Sequence, residues 1–230
     1  MMLFLLYGFH LHGDMMDSTF WILTAPVGAR TKGMGDSFVA GKAYIYAPYI
    51  NPSGLAFMTN RQFSLSYQSF LLGCMYANAG MVLPEGNNIF GIHLGWFDAG
   101  KFDILADDNS ITESSVSIQN DWIIFLSYAR TLGWDISMGV NVKYFNSRMA
   151  QQATISGWAG DVGLLWDFPD EKVTLGVVIQ NMGKNLKYPG EENTLPLNLK
   201  FGISTVLVED WDLWVEDLPP DVESITLYGD

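Results

Sequence analysis

The 230-residue chain is acidic, with 12 Lys plus Arg against 25 Asp plus Glu and a formal net charge of −13. It therefore repels a phosphate backbone and lacks the basic surface that nucleic-acid binding needs. Charged residues make up only 16% and aromatics 14%, a balance that points to a surface partly covered by something other than water, and the single cysteine, Cys74, excludes an intramolecular disulfide framework and a cysteine-based zinc site.

The chain opens on Met1 to Phe9, "MMLFLLYGF". This stretch is apolar like the core of a secretion signal, but it has no basic flank and no small-x-small cleavage site before Asp14. Residues 1–25 read as a signal-like or disordered N-terminus. Residues 26–60 show no alternation. Their glycines, the turn signal Asn51–Pro52 and Gly54 mark a compact insert that fills or caps a barrel mouth, with a short helix expected from Asp36 to Ala40.

From residue 61 to 230 the dominant signal has period two, which sends successive side chains to opposite faces of a strand. Strands are expected over 61–68, 75–83, 89–97, 121–130, 135–147, 154–168, 172–181 and 196–208. In "NIFGIHLGW", Phe90, Ile92, Leu94 and Trp96 oppose Gly91, His93 and Gly95. In "DISMGVNVKYF", Ile136, Met138, Val140, Val142 and Tyr144 oppose Ser137, Gly139, Asn141 and Lys143. "KVTLGVVIQN" and "LNLKFGISTVL" repeat the rhythm. The connections "PEGNN", "TLGW", "PDE" and "EDWD" are short, while "DAGKFDILADDNSITESSVSIQN" and "MGKNLKYPGEENTLP" are long, with a moderate bend at "SRMAQQ". Bacterial barrels alternate short periplasmic turns with long outer loops in this way. The tail "VESITLYGD" is a candidate further strand, whereas Pro219 and Pro220 make the stretch before it a loop.

The small, polar face of these strands decides the architecture. A soluble sheet shows water a face rich in Lys and Glu, whereas here the second face is mostly Gly, Ser, Thr, Asn and Gln. That chemistry fits a polar lumen, with the bulky face toward lipid. Trp96, Trp122, Trp134, Trp158, Trp166 and Trp211 fall near strand ends, where amphipathic rings sit at the headgroups. The expected fold is thus all-β, an antiparallel transmembrane β-barrel over 61–230 with an N-terminal hatch or plug over 26–60. The competing reading is a soluble all-β binding domain with its apolar faces turned inward.

Two segments, "GARTKGMGDSFVA" (28–40) and "YINPSGLA" (49–56), resemble the N-terminal hatch signature of the FadL-like outer-membrane proteins, in particular the PorV/PorQ group and its spirochaete relatives. The strand segments "GVNVKYF", "AGDVGLLW", "GVVIQNMG" and "LPLNLKFGIS" resemble that family's barrel strands in order. By position, Gly33, Met34, Gly35 and Phe38 match the first half of the hatch motif, and Asn51, Pro52 and Gly54 match its turn. Ser53 stands where Ala is usual, Gly41–Lys42 stands where an acidic pair is common, and the chain is shorter than members of the family. Two readings of the barrel remain, one self-closing and one truncated. The resemblance implies uptake or binding of hydrophobic small molecules such as long-chain fatty acids or, alternatively, a non-transporting role in type IX protein secretion. The partners implied are outer-membrane lipid, a hydrophobic small molecule or secretion-system proteins; no cofactor is expected.

The candidate lumen residues are His93, Asn141, Lys143, Asp161 and Lys200. No Ser, Asp or Glu spacing around His93 forms a triad, and His10 and His12 lie in the N-terminal stretch, so neither catalysis nor a metal site is expected. Charges inside a barrel pair across it, which is the expectation for Lys143, Asp161 and Lys200. "ADDNS" (106–110) lacks the glycine and terminal Glu of a calcium loop and reads as a solvated acidic turn.

Overall fold

The computed structural model of the chain describes residues 9–11, 20–25, 27–70, 73–105, 111–149, 153–170, 172–188 and 191–205. Its strands are β1 (Phe9–Leu11), β2 (Gln62–Ser69), β3 (Met75–Glu85), β4 (Asn88–Asp98), β5 (Lys101–Leu105), β6 (Ile111–Ser117), β7 (Gln119–Gly133), β8 (Ile136–Met149), β9 (Ala153–Phe168), β10 (Val173–Gly183), β11 (Leu186–Tyr188), β12 (Glu191–Asn193) and β13 (Asn198–Thr205). One antiparallel sheet runs in the order β1-β13-β10-β9-β8-β7-β4-β3-β2. The eight long strands are those expected from the alternation. They are joined as an up-and-down meander, and β7 turns into β8 through Trp134 (φ 51°) and Asp135 (φ 59°), the left-handed pair of a tight hairpin. Among the described residues the sheet is open, with β2 and β1 at its edges.

Two expectations change. The long connections are not plain loops: β5 pairs with β6 and β11 with β12, so each carries a small hairpin beyond the main sheet. The helix expected over 36–40 lies instead at α1 (Ala29–Gly33). Gly35 and Asp36 both have φ of 62°, a left-handed pair that ends a helix rather than starting one. The "ADDNS" stretch, the "EDWD" turn, Trp211 and the tail strand lie outside the described residues.

The wall is inside-out relative to a soluble sheet. On β8 the buried positions are Ser137, Gly139, Asn141, Lys143, Phe145 and Ser147, while Val142 is half exposed. Leu94, Leu126, Val162, Leu164, Leu175 and Ile179 likewise point outward from neighbouring strands. Outward aromatics form two rows. Trp96 sits opposite Trp122, Trp122 packs on Tyr144 at 5.3 Å and Tyr144 on Trp158 at 4.8 Å. At the opposite ends of the strands, Phe90 packs on Tyr128 at 5.4 Å and Trp166 on Phe168 at 4.6 Å. On β9 the step from Trp158 to Trp166 is about 26 Å along the strand, which tilting shortens to near or below the ~25 Å apolar band of outer-membrane walls. No helix among the described residues is long and apolar enough to cross a membrane.

The buried core lies on the other face, under residues 20–58. Phe20, Ile22, Leu23, Val27, Ile45, Ala47, Leu55 and Met58 pack against Tyr76, Val82, Ile89, Ile123, Phe125 and Phe145 of the wall. Phe20 meets Phe145 edge-on at 5.3 Å. Among the described residues, Phe20, Ile22 and Leu23, ahead of residue 26, already belong to this inner layer.

Candidate functional site

The first half of the hatch is held by its own motif residues. Thr31 Oγ1 donates to the carbonyls of Val27 and Gly28 at 2.6 and 2.9 Å, fastening the single turn of α1. Arg30 lies 5.4 Å from the Phe38 ring centre and 5.7 Å from that of Tyr44. Phe38 in turn is buried with Val39, Ile50 and Val178 of β10. Met34 caps the helix and packs at the edge of that cluster.

The second half centres on Asn51. Its Oδ1 accepts from Ser53 N at 3.2 Å and Ser53 Oγ at 2.6 Å, capping the 3₁₀ turn Pro52–Phe57. Its Nδ2 donates to Val39 O within the hatch at 2.7 Å and to Leu164 O of β9 at 3.3 Å. This turn lies so close to the wall that a Cβ on Gly139 would coincide with the Pro52–Ser53 peptide, and one on Gly163 with the Asn51 amide. Glycine at these two wall positions is a condition for docking.

Beside that contact lies a buried polar network. Lys143 Nζ meets Asp161 Oδ2 at 2.8 Å, with side chains 1% and 0% exposed, and also donates to Asn181 Oδ1 at 2.8 Å. Asp161 accepts further bonds from Asn141 Nδ2 at 2.6 Å and Asn181 N at 2.8 Å. The Phe125 ring faces the ammonium at 4.9 Å. With both charges buried, such a pair persists only when its remaining valences are filled, and here they are filled from three strands. The network reaches the hatch directly: Asn141 Nδ2 donates to Pro48 O at 2.7 Å, and Gln180 Nε2 to Tyr49 O at 3.0 Å. At the wall's turn end, Lys42 pairs with Asp167 at 2.8 Å, and Thr174 donates to the same carboxylate. The arrangement fixes a turn to a wall.

A family model described as Type IX secretion system protein PorV matches residues 15–215. The chain belongs to the PorV family. A comparison with curated proteins finds no match.

Within this PorV-family chain, three of the five expected lumen residues, Asn141, Lys143 and Asp161, converge on one network. His93 lies apart on β4, where Nε2 contacts Ile45 O of the hatch at 2.8 Å and the ring meets Tyr49 edge-on at 5.7 Å. Lys200 faces inward on β13 opposite Val178, but no ion pair forms at it among the described residues. The expectation of mutual pairing holds for Lys143 and Asp161, whose carboxylate is already filled by Lys143, Asn141 and Asn181, and is not met at Lys200 among the described residues. Sequence reasoning missed Gln180 and Asn181 as a pair. They break the alternation at a register shift between Ile179 and Met182, where Asn181 has φ of 61°, so both side chains turn inward. The available sequence signal was Asn181 itself, since Asn tolerates the left-handed conformation that a bulge can require.

Tyr49 is the other hatch residue that motif matching passed over. It touches two strands of the wall, packing on Phe125 of β7 at 4.6 Å and donating from Oη to Asn78 Oδ1 of β3 at 3.1 Å. Burial, and after it the neighbouring Tyr76 and Tyr46, push its phenol well above the usual range. It therefore stays a protonated donor.

Proposed function

We propose that the chain is an outer-membrane component of type IX protein secretion, acting as a plugged β-wall that engages secretion-system proteins rather than as a conduit or an enzyme. The family match across residues 15–215 carries this reading. The wall chemistry supports the location, since a band of outward Leu, Val and Ile between aromatic rows suits outer-membrane lipid. The packed hatch supports the non-conducting role, because Asn51, Asn141 and Gln180 tie the hatch backbone to the wall on its own terms, without a ligand.

Uptake of hydrophobic small molecules, the other expectation from resemblance, has no comparable support. The hatch contacts at β8–β10 are largely hydrogen bonds and buried charge rather than an apolar groove. The deciding experiment is removal of the gene from its host. Type IX cargo should accumulate in the periplasm and return to the surface when the chain is restored. Normal secretion combined with impaired uptake of a long-chain fatty acid would overturn the proposal and reinstate uptake.

A further inference from the structure

The wall leaves one long strand edge bare. β2 pairs with β3 from Gln62 to Ser69 without a bulge, and among the described residues no strand lies on its other side. Edges that face water are blunted by charges, proline or bulges, and "QFSLSYQS" has none of these. Its outward side chains Phe63, Leu65 and Tyr67 are 63% to 76% exposed, more than Leu94 and Leu126 of the inner strands. Tyr67 stands in the register row of Ala77, Trp96 and Trp122, so β2 continues the outward aromatic row. Its edge therefore lies at membrane depth, where backbone groups cannot be left unpaired toward lipid. At the opposite margin β1 covers β13 only over 199–201, which leaves Asn198 and residues 202–205 bare on that side.

The two edges complement each other. Eight long strands meander, so β2 and β13 run in opposite directions, the relation that antiparallel closure needs. Each is eight residues long. Each turns its odd positions outward, Phe63, Leu65 and Tyr67 on β2 and Leu199, Phe201 and Ile203 on β13, and its even, mostly small or polar positions inward. Within one sheet, however, they cannot meet. The interior of an eight-stranded barrel is filled by side chains alone, whereas here a whole layer of chain lies on the inner face. The hatch reaches from Tyr49 on Asn78 of β3 to Val39, whose Cβ lies 2.8 Å from the place a Cβ would take on Gly202 of β13. That is six strand spacings, an arc of about 29 Å, and the hatch holds it open.

We propose that a second copy of this chain completes the barrel, β2 of each copy pairing with β13 of the other to close sixteen strands around two hatches. A lumen of that strand number is of porin size, and the number stays even. Both copies keep their long-loop ends on one side of the membrane, so the two-fold axis runs along the barrel. About that axis the contact is heterologous and closes after two steps, with β2 antiparallel to β13 at both seams; a β2 to β2 seam about such an axis would be parallel. The three-residue β1 is then a placeholder that the incoming β2 displaces. This inference rests on the lipid-facing wall and not on the secretion role, so dimer closure and cargo release can fail independently.

Native mass spectrometry of the full chain, extracted from outer membranes in detergent, should give a folded unit of twice the 25.7 kDa chain, which boiling converts to single chains. Two differently tagged chains, both with Cys74→Ser, then locate the seam. One carries Leu65→Cys and the other Leu199→Cys, Phe201→Cys or Ile203→Cys. Co-expressed and oxidised, they should form a covalent pair at one of these three registers and none with Lys200→Cys, whose side chain lies on the other face. A folded barrel with the mass of one chain would overturn the proposal without recourse to any variant, since other strands of this chain would then close it. So would the absence of a covalent pair at all three registers, or a Leu65→Cys chain that links to a different protein.

Discussion

The hatch meets two different walls. Against β8, β9 and β10 its backbone is held by Asn141, Gln180 and the Leu164 carbonyl, with the Lys143–Asp161 pair buried behind them. Against β3, β4 and β7 it is held by aromatic packing, by the single His93 contact and by the Tyr49–Asn78 bond, over polar atoms that have no partner among the described residues. Both walls use the same inside-out alternation. One acts as a latch and the other as a seam, and the difference lies in which inward positions carry complementary groups rather than in strand geometry.

The largest effect should come from the latch. Asp161→Ala strands the buried Lys143 ammonium, and about 3–5 kcal/mol of unfolding free energy should be lost in urea titration. The double replacement Lys143→Met, Asp161→Leu should recover a large part of that loss; a double variant as unstable as the single one would break the latch reading. On the outward face, Val162→Arg, between the aromatic rows of β9, should cost roughly 2–4 kcal/mol in a lipid bilayer, and less in mixed micelles. An equal small cost in both media would place that face away from lipid.

Two glycines on one strand sharpen the contrast between faces. Gly163→Ala drives a methyl into Asn51, and overpacking of this kind costs about 1–3 kcal/mol. Gly160→Ala points outward, its nearest neighbours being carbonyls at 3.5 and 4.0 Å, and should stay within about 0.5 kcal/mol. Protease sensitivity of residues 41–58 should rise with the first substitution and not with the second. Among the substitutions at the hatch contacts the smallest effect belongs to the seam: His93→Phe removes one neutral hydrogen bond to Ile45 and should cost about 1 kcal/mol by the same titration. A loss matching that of Asp161→Ala would erase the difference between the walls.

Strand positions and facing were readable because period two is a local property: the parity of Asn141, Lys143, His93 and Asp161 follows from the first apolar residue of each strand. The hatch was readable from composition, since glycine and proline replace alternation there. Partners were less accessible. Lys143 finds Asp161 through the β8–β9 register, in which Asn141 stands opposite Asp161, and register depends on the turns and on everything packed within. The helix was misplaced because α1 is stabilised by a distant contact, Arg30 on Phe38 and Tyr44, while the expected site contains a left-handed Asp36. The hairpins β5–β6 and β11–β12 escaped notice because their alternation is brief and set among acidic residues.

Hydrogen exchange of the protein in outer-membrane vesicles tests the central claim, that residues 20–58 are a packed plug latched to an inside-out wall. The amides of Ile50, Asn51, Gly54 and Met58, bonded within the hatch at 2.8 to 3.1 Å, should exchange as slowly as those of β8 and β9. Rapid exchange of 47–58 beside protected strands would contradict it, leaving a wall with a loose segment where the account requires a plug.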